Sequence, residues 1–220
     1  MKPKNITMPT LINKTVILAA GDYPTSPAAL EALASARHVV CCDSAAVAYE
    51  RRAHRAPDAV VGDLDSLPAS YLRRHADIVV RNPGQDDNDL AKAFALCMER
   101  GWRDIVILGA TGRREDHTIG NIAWLAEFAE KAPKVAMLTD YGIFTVVHAP
   151  GGAVSTEPGM QISFFGFDAN QRLTADGVVF PVKDLALRRW FTATLNEATG
   201  RRVRLSFSGA PIIVFRELPR

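Results

Sequence analysis

The stretch that decides the fold reads Ile105-Val106-Ile107-Leu108-Gly109-Ala110-Thr111-Gly112, and a helical pattern follows it over residues 118–131. The apolar run predicts a buried strand, because the strands of a parallel sheet are covered on both faces. The two glycines predict a tight turn after that strand. A strand, a turn and a helix in this order are typical of one unit of a parallel α/β sheet.

The same alternation continues on both sides of this stretch. Short apolar runs predict further strands at 15–20, 38–42, 59–61, 78–81 and 135–139. Helical patterns predict helices at 28–36, 45–52, 69–75 and 89–99. We therefore predict an α/β domain with a parallel sheet over residues 15–149, preceded by an N-terminal extension at 1–14.

The pattern changes at Pro150-Gly151-Gly152. The β-like segments that follow, at 161–167, 177–180, 203–208 and 212–215, are separated by glycine and proline turn signals. Short strands without intervening helices predict a small all-β sandwich domain over residues 150–220.

Composition excludes several classes of function. The 220 residues carry 26 basic and 24 acidic side chains, so the net charge of +2 gives no electrostatic reason to expect a nucleic-acid or membrane partner. The N-terminus lacks the apolar segment of a secretory signal, and no apolar run is long enough to cross a bilayer. Three cysteines form neither a disulfide framework nor a zinc spacing. These features predict a cytoplasmic protein.

Acidic residues follow three of the predicted strands. They are Asp43 after the second strand, Asp63 and Asp65 after the third, and Asp86, Asp87 and Asp89 after the fourth. Ligands of open parallel sheets bind beyond the carboxyl ends of the strands, so these acids are expected at one edge. Each acid alone could equally serve a helix N-terminus. Two carboxylates ~4 Å apart repel by ~4 kcal/mol at an effective dielectric near 20, so a cluster favours a bound cation, and Mg²⁺ suits oxygen ligands that also hold phosphates.

The loop at 109–117 carries glycines, Arg113 and Arg114, and leads into a helix. Glycines allow close backbone approach, a helix N-terminus offers free N–H groups to phosphate, and arginine binds phosphate through two N–H groups. On that helix His117, Asn121 and Trp124 share one face. A glycine turn with solvated arginines and a buried Trp124 is the structural alternative. Walker, dinucleotide-binding and α/β-hydrolase motifs do not occur in the sequence.

Taken in order, these motifs resemble those of the thiamine pyrophosphokinase family. The resemblance covers Cys42-Asp43-Ser44-Ala45-Ala46, Gly62-Asp63-Leu64-Asp65-Ser66, Gln85-Asp86-Asp87-Asn88-Asp89 and the run 109–117 with Asn121. Weaker matches follow at 177–180 and at Asn196-Glu197. This sequence departs from the family pattern at Ser44 and Ala45 (two glycines), Asn88 (Thr), Arg113 (Gly) and Leu195 (Ser).

The resemblance implies a Rossmann-like nucleotide domain, a β-sandwich and a homodimer. It implies transfer of pyrophosphate from ATP to the hydroxyl of thiamine, with Mg²⁺ as the cofactor. Asp43, Asp63, Asp65 and Asp89 map to catalytic positions, of which Asp63, Asp65 and Asp89 would bind the metal. Gln85, Arg114, Asp116 and Asn121 map to the nucleotide side. Phe180 and Asn196 map to the thiamine site, with Trp190 as the alternative aromatic residue.

Two alternatives remain open from the residues. One is a pyrophosphokinase for another hydroxymethyl heterocycle, such as a pterin. The other is a non-catalytic nucleotide-sensing module, against which the full set of Asp43, Asp63, Asp65 and Asp89 argues, because a sensor does not need four acids.

Overall fold

The computed structural model describes residues 5–84 and 87–218. In chain order its elements are β1 (Asn5–Ile6), β2 (Thr15–Leu18), α1 (Pro27–Ala34), β3 (His38–Cys42), α2 (Ala45–Ala53), β4 (Ala59–Gly62), α3 (Ala69–Arg74), β5 (Val79–Arg81), α4 (Asp89–Glu99), β6 (Ile105–Leu108), α5 (Glu115–Lys131), β7 (Ala136–Leu138), β8 (Gly142–Val147), β9 (Gly151–Ser155), β10 (Gln161–Gly166), β11 (Arg172–Asp176), β12 (Val182–Ala186), β13 (Asn196–Glu197), β14 (Arg202–Phe207) and β15 (Ile212–Glu217).

The chain divides into two units. One runs from Leu11 to Asp140, and the other combines the residues up to Thr10 with those from Tyr141 onward. The predicted boundary at 149/150 falls later in the chain, because the Pro150-Gly151-Gly152 signal marks the turn between β8 and β9. The predicted extension at 1–14 is likewise divided, since β1 pairs in parallel with β9. The fold is mixed α/β with a C-terminal β-rich domain, which confirms the predicted order of an α/β part followed by a β part.

The unit at 11–140 is built on a parallel sheet with the order β5-β4-β3-β2-β6-β7. Residues of β2, β3, β4 and β6 are buried along their whole length except His38, which is why they read as continuous apolar runs. From β2 the chain builds outward through β3, β4 and β5, and then returns to the other side of β2 with β6. Such a reversal creates a crevice at the carboxyl ends of the strands, where ligands of α/β sheets bind.

Helix starts in this unit follow local chemistry. Asn88 caps α4 by accepting a hydrogen bond from Ala91 N at 3.0 Å, and the buried stripe of α4 packs Phe94 on Phe128 of α5, with ring centroids 4.1 Å apart. Helix α5 begins at Glu115, three residues earlier than predicted, because Glu115 and Asp116 suit the positive end of a helix. Among the described residues, no helix is long and apolar enough to cross a membrane.

The other unit contains two sheets. The first has the order β1-β9-β14-β11-β12, and the second contains the antiparallel series β13-β10-β15-β8. Apolar residues from both pack into one core that includes Val154, Phe164, Leu173, Leu205 and Val214. The predicted strand at 177–180 is wrong: the segment is a bend with one bridge, Val178 to Ala198, and the backbone of Phe180 bonds to a side chain instead of a strand.

Candidate active site

Asp43 follows β3 and is held from two sides. Its backbone, at φ 42°, donates a hydrogen bond from N to Val61 O at 2.9 Å. The Ser66 hydroxyl donates to one carboxylate oxygen, Oδ2. The other oxygen, Oδ1, is buried and has no hydrogen-bond partner. Asp43 therefore has one anchored oxygen and one oxygen free to accept a hydrogen bond or bind a cation.

Asp63 and Asp65 lie in the turn after β4. Asp65 N donates to Asp63 Oδ1 at 3.1 Å, and Leu64 between them has a φ of 68°. The exposed Asp65 carboxylate lies 3.7 Å from Arg81 Nη2. This turn presents both carboxylates at the carboxyl end of the sheet, next to Asp43.

Asp89 reaches the same edge from the first turn of α4. A Cβ atom on Gly62 would lie 3.2 Å from Asp43 Cβ and 3.3 Å from Asp89 Oδ2, so the two acids flank this glycine. The other carboxylate oxygen of Asp89, Oδ1, lies 3.3 Å from Nζ of Lys92, a residue whose side chain is 6% exposed. Lys92 and Ser66 were missed by sequence reasoning, although Ser66 directly follows Asp65 and Lys92 lies three residues after Asp89 on the same helix.

The electrostatics of Asp43 show that these acids sense one another. Burial raises the pKa of Asp43, the hydrogen bond from Ser66 opposes the rise, and the charges of Asp89, Asp63 and Asp65 add to it. The sequence-based expectation that the four acids converge is consistent with this coupling.

Over residues 5–84 and 87–218, no group of three or more His, Cys, Asp or Glu side chains is arranged as a metal-binding cluster. The donor chemistry nevertheless fits Mg²⁺, because the side chains gathered at this edge of the sheet end in carboxylate oxygens, the ligands that Mg²⁺ prefers. Asp63, Asp65 and Asp89 are the residues that could hold such an ion. The predicted nucleotide residue Gln85, like Asp86, lies outside the described residues.

The loop after β6 is fastened to the loop after β2. Gly21 N donates to Gly109 O at 2.7 Å, Asp22 N to Thr111 O at 2.9 Å, and Arg113 Nη1 to Ala20 O at 3.0 Å. Sequence reasoning did not select the 19–22 loop, whose signal was Gly-Asp directly after a buried strand. These hydrogen bonds hold the two loops against each other at the carboxyl end of the sheet.

Gly112 is required in this loop for two reasons. Its φ is 80°, a conformation that strains other residues. A Cβ at this position would also overlap the Asp22 carboxylate and lie 2.9 Å from Asp22 Cβ.

Arg114 and Asp116 face solvent and pair with each other. Arg114 Nη2 lies 2.5 Å from Asp116 Oδ2, and Nε donates to Oδ1 at 3.1 Å. Hydrogen bonds from Arg114 and from His117 N lower the pKa of Asp116 to about 2, and the same carboxylate raises the pKa of Arg114. The guanidinium is thus fully charged and displayed at the start of α5.

Asn121 is buried, and its side-chain amide bonds within the protein. Nδ2 donates to Ala110 O at 2.8 Å, and Oδ1 accepts from Asn88 Nδ2 at 2.9 Å. The amide therefore joins α5, the loop after β6 and the start of α4.

Phe180 and Asn196 are neighbours in the C-terminal unit. Asn196 is 4% exposed; its Oδ1 accepts from Phe180 N at 3.1 Å, and its Nδ2 donates to Phe180 O at 2.8 Å. Phe180 itself is 62% exposed and therefore lies outside the core of the β-rich unit. Trp190, Phe191 and Leu195 are also exposed large apolar residues of this unit.

Comparison with known proteins gives a consistent family. A family model described as thiamin pyrophosphokinase, catalytic domain, matches residues 29–137, and one described as thiamin pyrophosphokinase, substrate-binding domain, matches residues 142–215. A curated relative, thiamin pyrophosphokinase 1 of Caenorhabditis elegans, is 26% identical over 167 residues, which are 71% of this chain and 68% of that protein.

Solved structures show the same fold at lower identity. Yeast thiamin pyrophosphokinase is 15% identical with a TM-score of 0.80, covering 99% of this chain and 92% of that one. Thiamine pyrophosphokinase from Bacillus subtilis is 23% identical with a TM-score of 0.74, covering 94% and 100%. The structure changes unit between Asp140 and Tyr141, within the short gap at 138–141 that separates the two matched ranges. From the two family models together, we conclude that the chain belongs to the thiamin pyrophosphokinase family.

Proposed function

We propose that this chain transfers the pyrophosphoryl group of ATP to the hydroxyl of thiamine, giving thiamine diphosphate and AMP. The observation that carries the proposal is the approach of Asp43, Asp63, Asp65 and Asp89 at the carboxyl edge of a parallel sheet. A tied Gly/Arg loop follows β6, across β2 from the acid-bearing strands, as a Rossmann-like nucleotide site requires. This reaction is the one that the name of the matched family describes. Nothing in the described residues specifically favours a pterin acceptor or a non-catalytic sensor.

In this proposal three of the acids bind the metal ion, and the fourth, Asp43, binds the acceptor hydroxyl. Asp63, Asp65 and Asp89 hold Mg²⁺, which when bound neutralises charge on the triphosphate. Asp43 Oδ1 accepts a hydrogen bond from the thiamine hydroxyl, while Ser66 fixes Oδ2. The hydroxyl oxygen forms a bond to the β-phosphorus, the bond from that phosphorus to the oxygen bridging it to the α-phosphorus breaks, and its electron pair leaves with AMP. The hydroxyl proton is lost toward Asp43 or solvent.

The nucleotide side uses the start of α5. Arg114 binds phosphate oxygens through its planar guanidinium, and Asp116 holds it extended until ATP arrives. Asn121 lies on the same side, and Gln85 stays a prediction.

The acceptor site is proposed in the C-terminal unit. The exposed ring of Phe180 stacks on thiamine, whose thiazolium is a cation that an aromatic face attracts. Asn196 fixes the backbone that carries this ring.

We further propose a homodimer. The exposed apolar residues Phe180, Trp190, Phe191 and Leu195 occur in one small β-rich unit, and an exposed apolar surface favours a binding role. A monomeric mass by light scattering at micromolar concentration, with full activity, would contradict the dimer. The cytoplasmic location stays a prediction.

The activity is tested by product stoichiometry. Purified protein with ATP, Mg²⁺ and thiamine should form AMP and thiamine diphosphate in equal amounts, measured by chromatography. Formation of ADP with thiamine monophosphate would show that attack is not at the β-phosphorus. Replacing thiamine with a hydroxymethylpterin tests which acceptor the protein uses. If AMP forms with the pterin but not with thiamine, the acceptor is the pterin.

A further inference from the structure

The amide pair of half-buried Asn88 and buried Asn121 connects the two halves of the candidate site. Asn88 begins the helix that carries Asp89, whereas Asn121 holds Ala110 in the glycine loop. The connecting bond, from Asn88 Nδ2 to Asn121 Oδ1, is 2.9 Å long and partly buried. A hydrogen bond shielded from water keeps more of its strength than an exposed one.

Each amide is also engaged at its other end. Asn88 Oδ1 accepts from Ala91 N at 3.0 Å, and Asn121 Nδ2 donates to Ala110 O at 2.8 Å. The result is a continuous series of three hydrogen bonds from the first turn of α4 to the backbone of the loop after β6. Neither amide can turn toward a ligand without breaking one of these bonds.

From this geometry we propose that Asn121 and Asn88 act together as positioning residues that set the spacing between the metal-binding acids and the nucleotide loop. The inference rests on the proposed function and deepens it. It replaces the direct nucleotide contact that the family resemblance implies for Asn121. Position 88 carries Asn where the run it resembles carries Thr, so this amide bridge is a feature of the present chain.

Small errors in spacing matter in phosphoryl transfer. Catalysis there depends mainly on placing the attacking oxygen, the phosphorus and the charges that stabilise the transition state. A displacement of about 1 Å lowers the rate by as much as about 100-fold. A bridge between the two sides of the triphosphate site therefore acts on turnover and on nucleotide binding without touching either ligand.

The test is a double-mutant cycle. Asn88→Ser keeps an oxygen that caps α4 but is too short to reach Asn121, and Asn121→Ser removes both amide bonds. Each variant should lower kcat about tenfold and weaken AMP binding by a similar factor, with the KM for thiamine unchanged. The double variant should lose about tenfold and not the hundredfold expected of independent sites, because either change alone breaks the bridge.

A structural readout makes the proposal independent of activity. Hydrogen exchange of the backbone amides of Gly21 and Asp22, which donate to Gly109 O and Thr111 O, should speed up in both single variants of the metal-free protein, since the loop after β6 loses its link to α4. Ser26→Ala, which removes the side-chain cap of α1, is the matched control and should leave exchange at Gly21 and Asp22 unchanged. If wild-type protein forms no thiamine diphosphate, the proposed function fails, and the exchange measurement still tests the bridge.

Three results would overturn the inference. Loss of AMP affinity in Asn121→Ser but not in Asn88→Ser would restore a direct nucleotide contact. Multiplicative losses in the double variant, or unchanged exchange in both single variants, would show that the amides do not act together. If Asn121→Ser does not fold, Asn88→Asp serves in its place: it keeps the cap, removes the N–H donor, and should still speed exchange at Gly21 and Asp22.

Discussion

Asp43 in one unit and Arg216 in the other both carry a buried charged-group atom without a hydrogen-bond partner, yet their surroundings differ. Asp43 Oδ1 lies at the carboxyl edge of the sheet, where burial raises the pKa of Asp43 and the charges of three further acids add to the rise. Arg216 is 0% exposed, donates to Ser155 O at 3.1 Å and Thr145 Oγ1 at 3.2 Å, and has no carboxylate partner among the described residues. Burial alone lowers the pKa of Arg216 to about 10.

Access to a ligand separates a buried charge that serves function from one that serves only the fold. The acids repel one another at a sheet edge, where a cation or substrate can reach them and relieve the repulsion. Arg216 is enclosed in the β-rich unit, where Nη1 donates to a backbone carbonyl and Nη2 donates to a hydroxyl. Removing a charge among the acids should therefore destroy function, whereas removing the charge of Arg216 should affect only stability.

The largest effect is expected at the acids. Asp63→Asn should lower kcat by about 10²–10³-fold, because a ligand of the metal that stabilises transition-state charge is lost. The melting temperature should hold or rise, since repulsion among the acids is relieved. Asp77→Asn, a change of the same charge at an exposed site, is the control and should behave as wild type. Near-normal turnover of Asp63→Asn at saturating Mg²⁺ would contradict the metal assignment.

The opposite outcome is expected at Arg216. Arg216→Met fills similar volume without a charge, so the free energy of unfolding should stay within about 1 kcal/mol of wild type or rise. Arg216→Ala should lower it by about 2–4 kcal/mol, because a cavity remains. Urea denaturation measures both changes, and kcat should be unaffected in the Met variant. A large loss of activity in folded Arg216→Met would mean that this cation serves the reaction, and the comparison with Asp43 would fail.

Sequence alone predicted the parallel sheet closely because its strands are buried on both faces. The predicted strand at 38–42 matches β3, and the predicted helix at 89–99 matches α4. Strands of the β-rich unit are harder to predict: β12 carries exposed Lys183 and Asp184, so it lacks an apolar run, and β8 lies just before the turn that predicts a domain boundary.

The candidate site was predictable in composition but not in its internal bonding. Strand-end positions were enough to predict that Asp43 and Asp89 lie near each other, because parallel strands end at one edge, and the metal-binding role of the acids stays a prediction. Helical spacing placed Asn121 on one face of α5 with His117 and Trp124, but it gave no sign that the Asn121 amide is bonded to Ala110 and Asn88. Hydrogen bonds between residues far apart in sequence depend on packing, and no local pattern encodes them.

An exposed cation should behave differently from both buried groups. Arg114→Gln should raise the KM for ATP about ten- to hundredfold, since a charge-assisted hydrogen bond contributes about 1.5–3 kcal/mol. Stability should not change, because the pair with Asp116 is exposed. The low pKa of Asp116, about 2, keeps that pair ionised at every assay pH near neutrality. An unchanged KM for ATP with a lower melting temperature would make Arg114 structural.

The smallest effect is expected at Phe180, the exposed apolar counterpart of these charges. Phe180→Ala should raise the KM for thiamine about tenfold, because stacking of a cation on the ring contributes about 1–2 kcal/mol. The KM for ATP and the melting temperature should stay near wild type, since the ring is 62% exposed and contributes little to the core. Phe180→Trp should bind thiamine equally well or more tightly. Tyr141→Ala, which removes another exposed ring of the same unit, is the matched control and should leave both constants unchanged. If Phe180→Ala changes neither KM while Trp190→Ala raises the KM for thiamine, the aromatic contact belongs to Trp190.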